Sequence, residues 1–234
     1  MDRLTSPIFD TVPPDVCRIY VVRHGPTALN SAGRLRGRSE VALDAHGRRA
    51  AWEAAHGLAG ARLRAVYSSP LERALEVGRA VSAVNGLGAV RPLDGLNNLD
   101  YGAWEDLTSA EAAARDPEAF ARYLRDPLAA VCPGGEPLAA AADRILGALR
   151  TIGRRHARGE SVAAVTHGVM VRLAVLRVAG PTDLDWQFAI PTSAAVAFDV
   201  AAGRVELTQP LNRSDPDPRK SGVYLFPESV PLAV

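Results

Sequence analysis

Two apolar, β-branched runs end in the same way, and that repetition restricts the fold more than any other feature of the chain. Val16 to Val22 reads as a buried strand that stops at Arg23-His24-Gly25, and Ser161 to Thr166 reads as another that stops at His167-Gly168. Parallel strands carry their carboxyl ends to one edge of a sheet, where open α/β folds bind ligands. Two imidazoles far apart in the chain can therefore face one crevice, with the Arg23 guanidinium at the same edge. A neutral imidazole there can act as a nucleophile, and a guanidinium can hold a phosphoryl group through paired hydrogen bonds.

The segments between these runs alternate helix and strand. Asp44 to Leu58 reads as a helix with Asp44 as N-cap and Trp52, Ala55 and Leu58 partly on one face. A short strand follows at Ala65 to Ser68. Ser69-Pro70-Leu71-Glu72 then carries a helix start, with a Ser cap, Pro at the first helical position and Glu three residues after the cap; this helix runs to about Val84. Further on come a strand near Ala89 to Pro92, an Ala-rich helix at Leu138 to His156 and a helix at Val169 to Val178. Ala194 to Val200 and Arg204 to Gln209 form a terminal hairpin turning at Ala202-Gly203. Asp94 to Pro137 is interrupted at Pro117, Pro127 and Pro133-Gly134-Gly135, which suggests short helices in an insertion capping the sheet edge. Residues 1–15 read as an arm and residues 212–234 as an irregular tail. The expectation is one α/β domain over residues 1–234: a three-layer sandwich with a central, mostly parallel sheet and helices on both faces.

Composition narrows the function classes. With 234 residues, 47% of them hydrophobic and 23% charged, the chain can bury one sizeable core. A net charge of +1 gives no global field toward nucleic acid or membrane, so neither is expected as a partner, while a locally basic pocket stays open. The two cysteines, Cys17 and Cys132, are too few for a disulfide framework or a cysteine metal site, and Cys17 reads as a small core hydrophobe. No stretch is long enough to span a bilayer and no basic segment precedes an apolar run at the N-terminus, so a cytoplasmic location is expected. The Pro-rich arm and tail could wrap a partner subunit, as in a homodimer.

Around the two histidines lie further polar groups. Arg73 falls one turn into the helix after Ser68-Ser69-Pro70, and Thr27 and Asn30 lie in the loop beyond His24. Two His, two Arg and two small polar side chains near a helix N-terminus make a cage for a tetrahedral dianion. The other ring nitrogen of His24 is expected to donate to a backbone carbonyl that fixes its tautomer.

These residues resemble the histidine phosphatase superfamily, the phosphoglycerate-mutase-like group, in its branch 1. The resemblance runs from Val16 to Val200 through five ordered blocks: Arg23-His24-Gly25-Pro26-Thr27-Ala28-Leu29-Asn30 with Gly33-Arg34; Tyr67-Ser68-Ser69-Pro70-Leu71-Glu72-Arg73-Ala74; Tyr101-Gly102-Ala103-Trp104-Glu105; Pro133-Gly134-Gly135-Glu136; and Val165-Thr166-His167-Gly168. It implies that His24 is the nucleophile and becomes phosphohistidine. It also implies that Arg23, Arg73, His167, Asn30 and Thr27 hold the phosphoryl group, with Gly168 beside them. Guanidiniums and an imidazolium could supply the charge that a metal provides elsewhere, so no metal and no cofactor are expected. The expected activity is hydrolysis of a small phosphomonoester. Phosphoglycerate-mutase-like transfer is the nearest alternative, and a divergent member that binds a phosphorylated ligand or performs non-hydrolytic chemistry is the third.

One position departs from the family pattern. Members commonly carry a Glu four residues before the Gly of the Tyr-Gly-x-Trp-Glu block, and it protonates the leaving oxygen. Counting back from Gly102 lands on Asn98, an amide that donates a hydrogen bond but no proton. Asp100 is the expected substitute acid, ahead of Glu105 and Glu136; a substrate with a good leaving group, or one bringing its own acid, is the other route to hydrolysis. Pro26, where relatives often have Glu or Gln, is a smaller departure. Arg34 and Asn98 are candidate substrate contacts, whereas Arg38 reads as a solvated loop residue. Trp104 reads as packing the insertion onto the sheet and also as a candidate to line the substrate site. His46, His56 and His156 read as helix-surface or helix-end residues, and Gly134-Gly135 as a turn.

Overall fold

Alternate residues of the first strand enter two different cores, which is why that strand is apolar throughout. In β1 (Cys17–Arg23), Cys17, Ile19 and Val21 belong to one core, and Tyr20 and Val22 to the other. The computed structural model describes residues 11–27, 33–157, 159–180, 186, 188, 190–208 and 223–224. Its sheet adds β2 (Leu63–Ser68), β3 (Arg91–Pro92), β4 (Glu160–Thr166), β5 (Ala195–Ala201), β6 (Arg204–Leu207) and β7 (Val223–Tyr224). The order is β3-β2-β4-β1-β5-β6, with β7 also paired to β5. Strands β1 to β4 are mutually parallel, and β5 runs against β1, β6 and β7.

On one face lie α1 (Ala45–Gly57) and α2 (Glu72–Val84), which bury Ala51, Ala54, Ala74, Val77 and Val81 against Tyr20, Val66 and Val165. On the other lie α5 (Leu138–His156) and α6 (Gly168–Ala179), whose Ile145, Leu149, Met170 and Ala174 pack with Ile19, Val162 and Phe198. The result is the expected three-layer sandwich. Asp44 caps α1 by accepting from the Gly47 amide at 2.7 Å. Among the described residues, no helix is long and apolar enough to cross a membrane.

The insertion forms α3 (Ser109–Arg115) and α4 (Pro117–Arg125) with single 3-10 turns around them. It is fastened by Trp104, which is fully buried, donates from Nε1 to Asp116 Oδ2 at 2.8 Å, and meets the Phe120 and Tyr123 rings edge-on at 5.5 and 5.7 Å. Its packing role is realised, and complete burial keeps it from lining a pocket. Gly102 (φ +54°) and Gly135 interlock two turns backbone to backbone. A Cβ on Gly102 would lie 2.4 Å from the Pro133 carbonyl oxygen, and one on Gly135 would lie 2.4 Å from that of Asp100.

Two elements differ from the sequence reading. Helix α2 starts at Glu72 with Leu71 at the N-cap position and no side-chain cap. The Ser69 amide instead extends the sheet edge by bonding the Val165 carbonyl at 2.8 Å, and Glu72 pairs with Arg79 at 2.6 Å. The tail is not wholly irregular, because β7 adds Val223–Tyr224 beside Ala195 and Val196. The rest of residues 212–234, and residues 1–10 of the arm, lie outside the described residues.

Candidate active site

Register places the two histidines. Arg23 of β1 pairs with Thr166 of β4, so both chains leave the sheet at the same level, and the His24 amide bonds the Thr166 carbonyl at 3.0 Å. The imidazoles of His24 and His167 are buried, with ring centroids 5.1 Å apart and planes at 65°. His24 Nδ1 lies 2.6 Å from the Gly25 carbonyl oxygen. Only a protonated Nδ1 can make that contact, which leaves the Nε2 lone pair unprotonated. His167 Nε2 contacts Ser69 Oγ at 2.8 Å, and its Nδ1 is buried without a partner. This contact employs the hydroxyl that the sequence suggested as a helix cap.

Guanidiniums surround the pair. Arg73, fully buried in the first turn of α2, donates to the Ser39 carbonyl at 2.7 Å and the Gly37 carbonyl at 2.9 Å, while its Nε has no partner. Arg23 donates from Nη1 to the Ile190 carbonyl and keeps a buried, unpartnered Nε. Gly168 lies against it, since a Cβ there would come within 3.1 Å of Arg23 Nε. Thr27 is fully buried, and its Oγ1 accepts from Arg36 Nη1 at 2.6 Å. Asn30 lies outside the described residues.

Arg36 is the residue that sequence reasoning missed as a site residue. Of the run Arg34, Arg36 and Arg38, Arg34 pairs with Glu111 of α3 at 3.1 Å, and Arg38 pairs with Glu136 at 3.2 Å. Arg34 therefore braces the insertion instead of facing the histidines. The middle arginine turns inward because the loop reverses at Gly37, whose φ is +49°. Loop geometry of that kind has no periodic signature in the sequence.

Burial and crowding set the charge state. Desolvation holds both imidazoles well below 6.5. For His24 it is reinforced by Arg36, Arg73 and Arg23, and for His167 by His24, Arg73, Arg36 and Arg144. Burial also pushes Arg23, Arg36 and Arg73 down to about 10. Arg172 and Arg36 add to the effect on Arg23, and Arg73 adds to that on Arg36. All three guanidiniums remain cationic at neutral pH around two neutral rings. This arrangement makes stability depend on pH with a definite sign. The folded rings resist a proton that the unfolded chain accepts near 6.5, so stability present above pH 6.5 is lost as pH falls toward the folded values. Each ring adds up to about 1.4 kcal/mol per pH unit in that window. Urea unfolding without phosphate should show this slope, and His24→Asn with His167→Asn should flatten it.

Asn98 joins this group. It is buried, and its Nδ2 donates at 2.7 Å to Gly37 O, the carbonyl that also accepts from Arg73; its Oδ1 has no partner. Its backbone carbonyl accepts from Arg144 Nη2 at 3.1 Å. Arg144 also donates to the carbonyls of Gly95 and Asn97 and pairs with Glu136 at 2.8 Å. Asp100 sits differently. One oxygen accepts from the Gly102 amide at 2.9 Å, closing a local turn, and the other lies 3.6 Å from Arg38. Glu105 accepts from the Arg38 amide at 2.9 Å. Among the described residues, none of the three carboxylates hydrogen-bonds either imidazole.

Known proteins share this architecture. A metal-independent phosphoserine phosphatase of Arabidopsis thaliana is 34% identical over 71% of this chain and 71% of its own length. Phosphoserine phosphatase 1 of Hydrogenobacter thermophilus is 29% identical over 73% of this chain and 81% of its own. The solved structure of Bacillus stearothermophilus YhfR superposes with a TM-score of 0.74 at 28% identity, covering 82% of this chain and 95% of that one. Residues 19–212 match the family model described as histidine phosphatase superfamily (branch 1), a span that takes in both histidine-bearing strands, and the chain belongs to that family.

Proposed function

We propose that this phosphomonoester hydrolase passes the phosphoryl group of a small metabolite through His24. The observation that carries the reading is the Nε2 of His24, left basic by the Nδ1 contact to Gly25 and enclosed by Arg23, Arg36 and Arg73. In the first step the N–P bond forms as the bond from phosphorus to the ester oxygen breaks, with nucleophile and leaving oxygen in line. The guanidiniums, with Thr27, Asn30 and the Gly168 end of α6, bind the equatorial oxygens. An arriving dianion raises the proton affinity of His167, which then adds a cation as charge spreads. Water attacks in the second step, the P–N bond breaks, and His24 is regenerated with release of phosphate.

The leaving oxygen is met by donors that keep their protons, Asn98 and the guanidiniums, and not by a carboxylic acid. Asp100 then serves the turn that carries Tyr101 and Gly102. A reaction of this kind favours leaving groups that are stable as anions, since general acid catalysis is worth about 10²- to 10⁴-fold where it is missing. Guanidinium charge in place of a metal agrees with the metal independence in the name of the Arabidopsis relative, and the phosphoserine in both relatives' names makes a phosphorylated amino acid the first natural substrate to try. The purified protein should hydrolyse p-nitrophenyl phosphate equally with and without EDTA, and acid-labile phosphate should appear on the protein in a rapid quench. Tight phosphate binding without hydrolysis of this ester or of O-phosphoserine would replace the reading with ligand binding.

A further inference from the structure

The cage does not end at Arg23. Arg172 lies on α6 one turn beyond Gly168 on the same helix face, and Gly168 is the residue against which the Arg23 guanidinium packs. The two arginines are tethered to one segment: Arg172 Nε donates to the Phe188 carbonyl at 2.9 Å and Arg23 Nη1 to the Ile190 carbonyl. Their charges meet, since Arg172 is the strongest cationic influence on Arg23. Tyr101, which acts on Arg23 and Arg36 and is acted on by Arg172, lies beside them with its hydroxyl 3.4 Å from that of Tyr123. The Tyr123 ring packs at 4.7 Å on Trp186, whose buried Nε1 has no partner. The unsatisfied groups of this wall, Arg23 Nε and Trp186 Nε1, are both donors. Native interiors rarely leave buried donors unpaired, and a wall of unpaired donors calls for a ligand rich in acceptor oxygens.

We infer that Arg172 and Tyr101 form a second anion subsite, next to the phosphoryl cage, that takes a carboxylate on the leaving group. The inference rests on the phosphatase reading for which end of the substrate enters the cage. Two guanidiniums tethered side by side exceed what one phosphoryl group needs, given that Arg36, Arg73 and the imidazoles serve its other oxygens. A carboxylate matches the planar fork of a guanidinium and accepts a phenol donor in the same plane. A second phosphate, with more oxygens and charge, would call for more cations than Arg172 alone adds. Because Arg172 adjoins Arg23, the carboxylate belongs only a few bonds from phosphorus.

Binding can be measured apart from turnover with two stable phosphonates that differ by one group. 2-Amino-4-phosphonobutanoate carries a carboxylate, and 3-aminopropylphosphonate lacks it. By calorimetry the native protein should bind the first about 10- to 100-fold more tightly, the range expected for a charge-assisted contact. Arg172→Met should reduce that preference to below about threefold, Arg172→Lys should keep part of it, and Tyr101→Phe should lower it with the guanidinium intact. Equal affinities in the native protein would overturn the inference, as would a preference unchanged in Arg172→Met. Tighter binding of propane-1,3-diyl bisphosphonate than of the carboxylated probe would overturn the carboxylate assignment. Since neither probe is hydrolysed, failure here is distinct from absence of p-nitrophenyl phosphate turnover, which bears on the phosphatase reading alone.

Discussion

Replacing His24 with asparagine lowers kcat on p-nitrophenyl phosphate by about 10⁵-fold, the scale seen when a covalent nucleophile is removed. Asparagine is the informative substitution because its side-chain amide can still donate to the Gly25 carbonyl, the contact made by His24 Nδ1 at 2.6 Å. The local fold is therefore kept while the basic nitrogen is lost. Phosphate should still bind within about tenfold of the native affinity, since Arg23, Arg36 and Arg73 carry the charge that attracts it. Acid-labile phosphate should vanish from quenched protein. His167→Asn should be milder, because that ring stabilises charge without forming a bond. If His24→Asn retained more than about a hundredth of native turnover, or still trapped phosphate on a nitrogen, attack would have to be assigned to another group.

The parts of the fold that were legible in the sequence are those fixed by burial on both faces. Val16 to Val22 and Ser161 to Thr166 could be read as strands because each alternates its side chains between two apolar layers, and their shared endings predicted that His24 and His167 would meet. Helix α5 was legible to the residue because nineteen positions repeat one apolar stripe and Pro137 precedes it. What escaped was settled by long-range contacts. The Ser69 hydroxyl looked like a cap because local cap chemistry suited it, but His167 lies 2.8 Å away from across the sheet. Arg34 and Arg36 are chemically alike, and only the backbone reversal at Gly37 decides that the second reaches Thr27. Asp100 looked like an acid from its distance to Gly102 in the chain, and that same closeness ties it to the Gly102 amide. Strand β7 is two residues long and carries no period at all.

Asn98→Glu should raise kcat/KM on alkyl phosphates by about 10²- to 10⁴-fold while changing p-nitrophenyl phosphate turnover little, because a proton matters only when the leaving oxygen is strongly basic. The backbone at this position is held independently of the side chain: Arg38 Nε and Arg144 Nη2 reach its carbonyl at 3.3 and 3.1 Å. A longer side chain can therefore be introduced without releasing the loop. The present amide donates to Gly37 O at 2.7 Å, and a protonated carboxyl can make the same bond or turn to the leaving oxygen. Burial and that carbonyl favour the protonated form, whereas Arg36, Arg73 and Arg144 favour the carboxylate; an arriving phosphate dianion tips the balance back toward the acid. The sign on pH follows. The variant should lose its advantage as pH rises through the introduced carboxyl's own ionisation, giving a falling alkaline limb on alkyl phosphates that the native protein lacks. Asn98→Gln supplies length without a proton and should bring no gain. Equal behaviour of the Gln and Glu substitutions on alkyl phosphates would mean that position 98 does not face the leaving oxygen, and proton delivery would then have to come from the substrate itself.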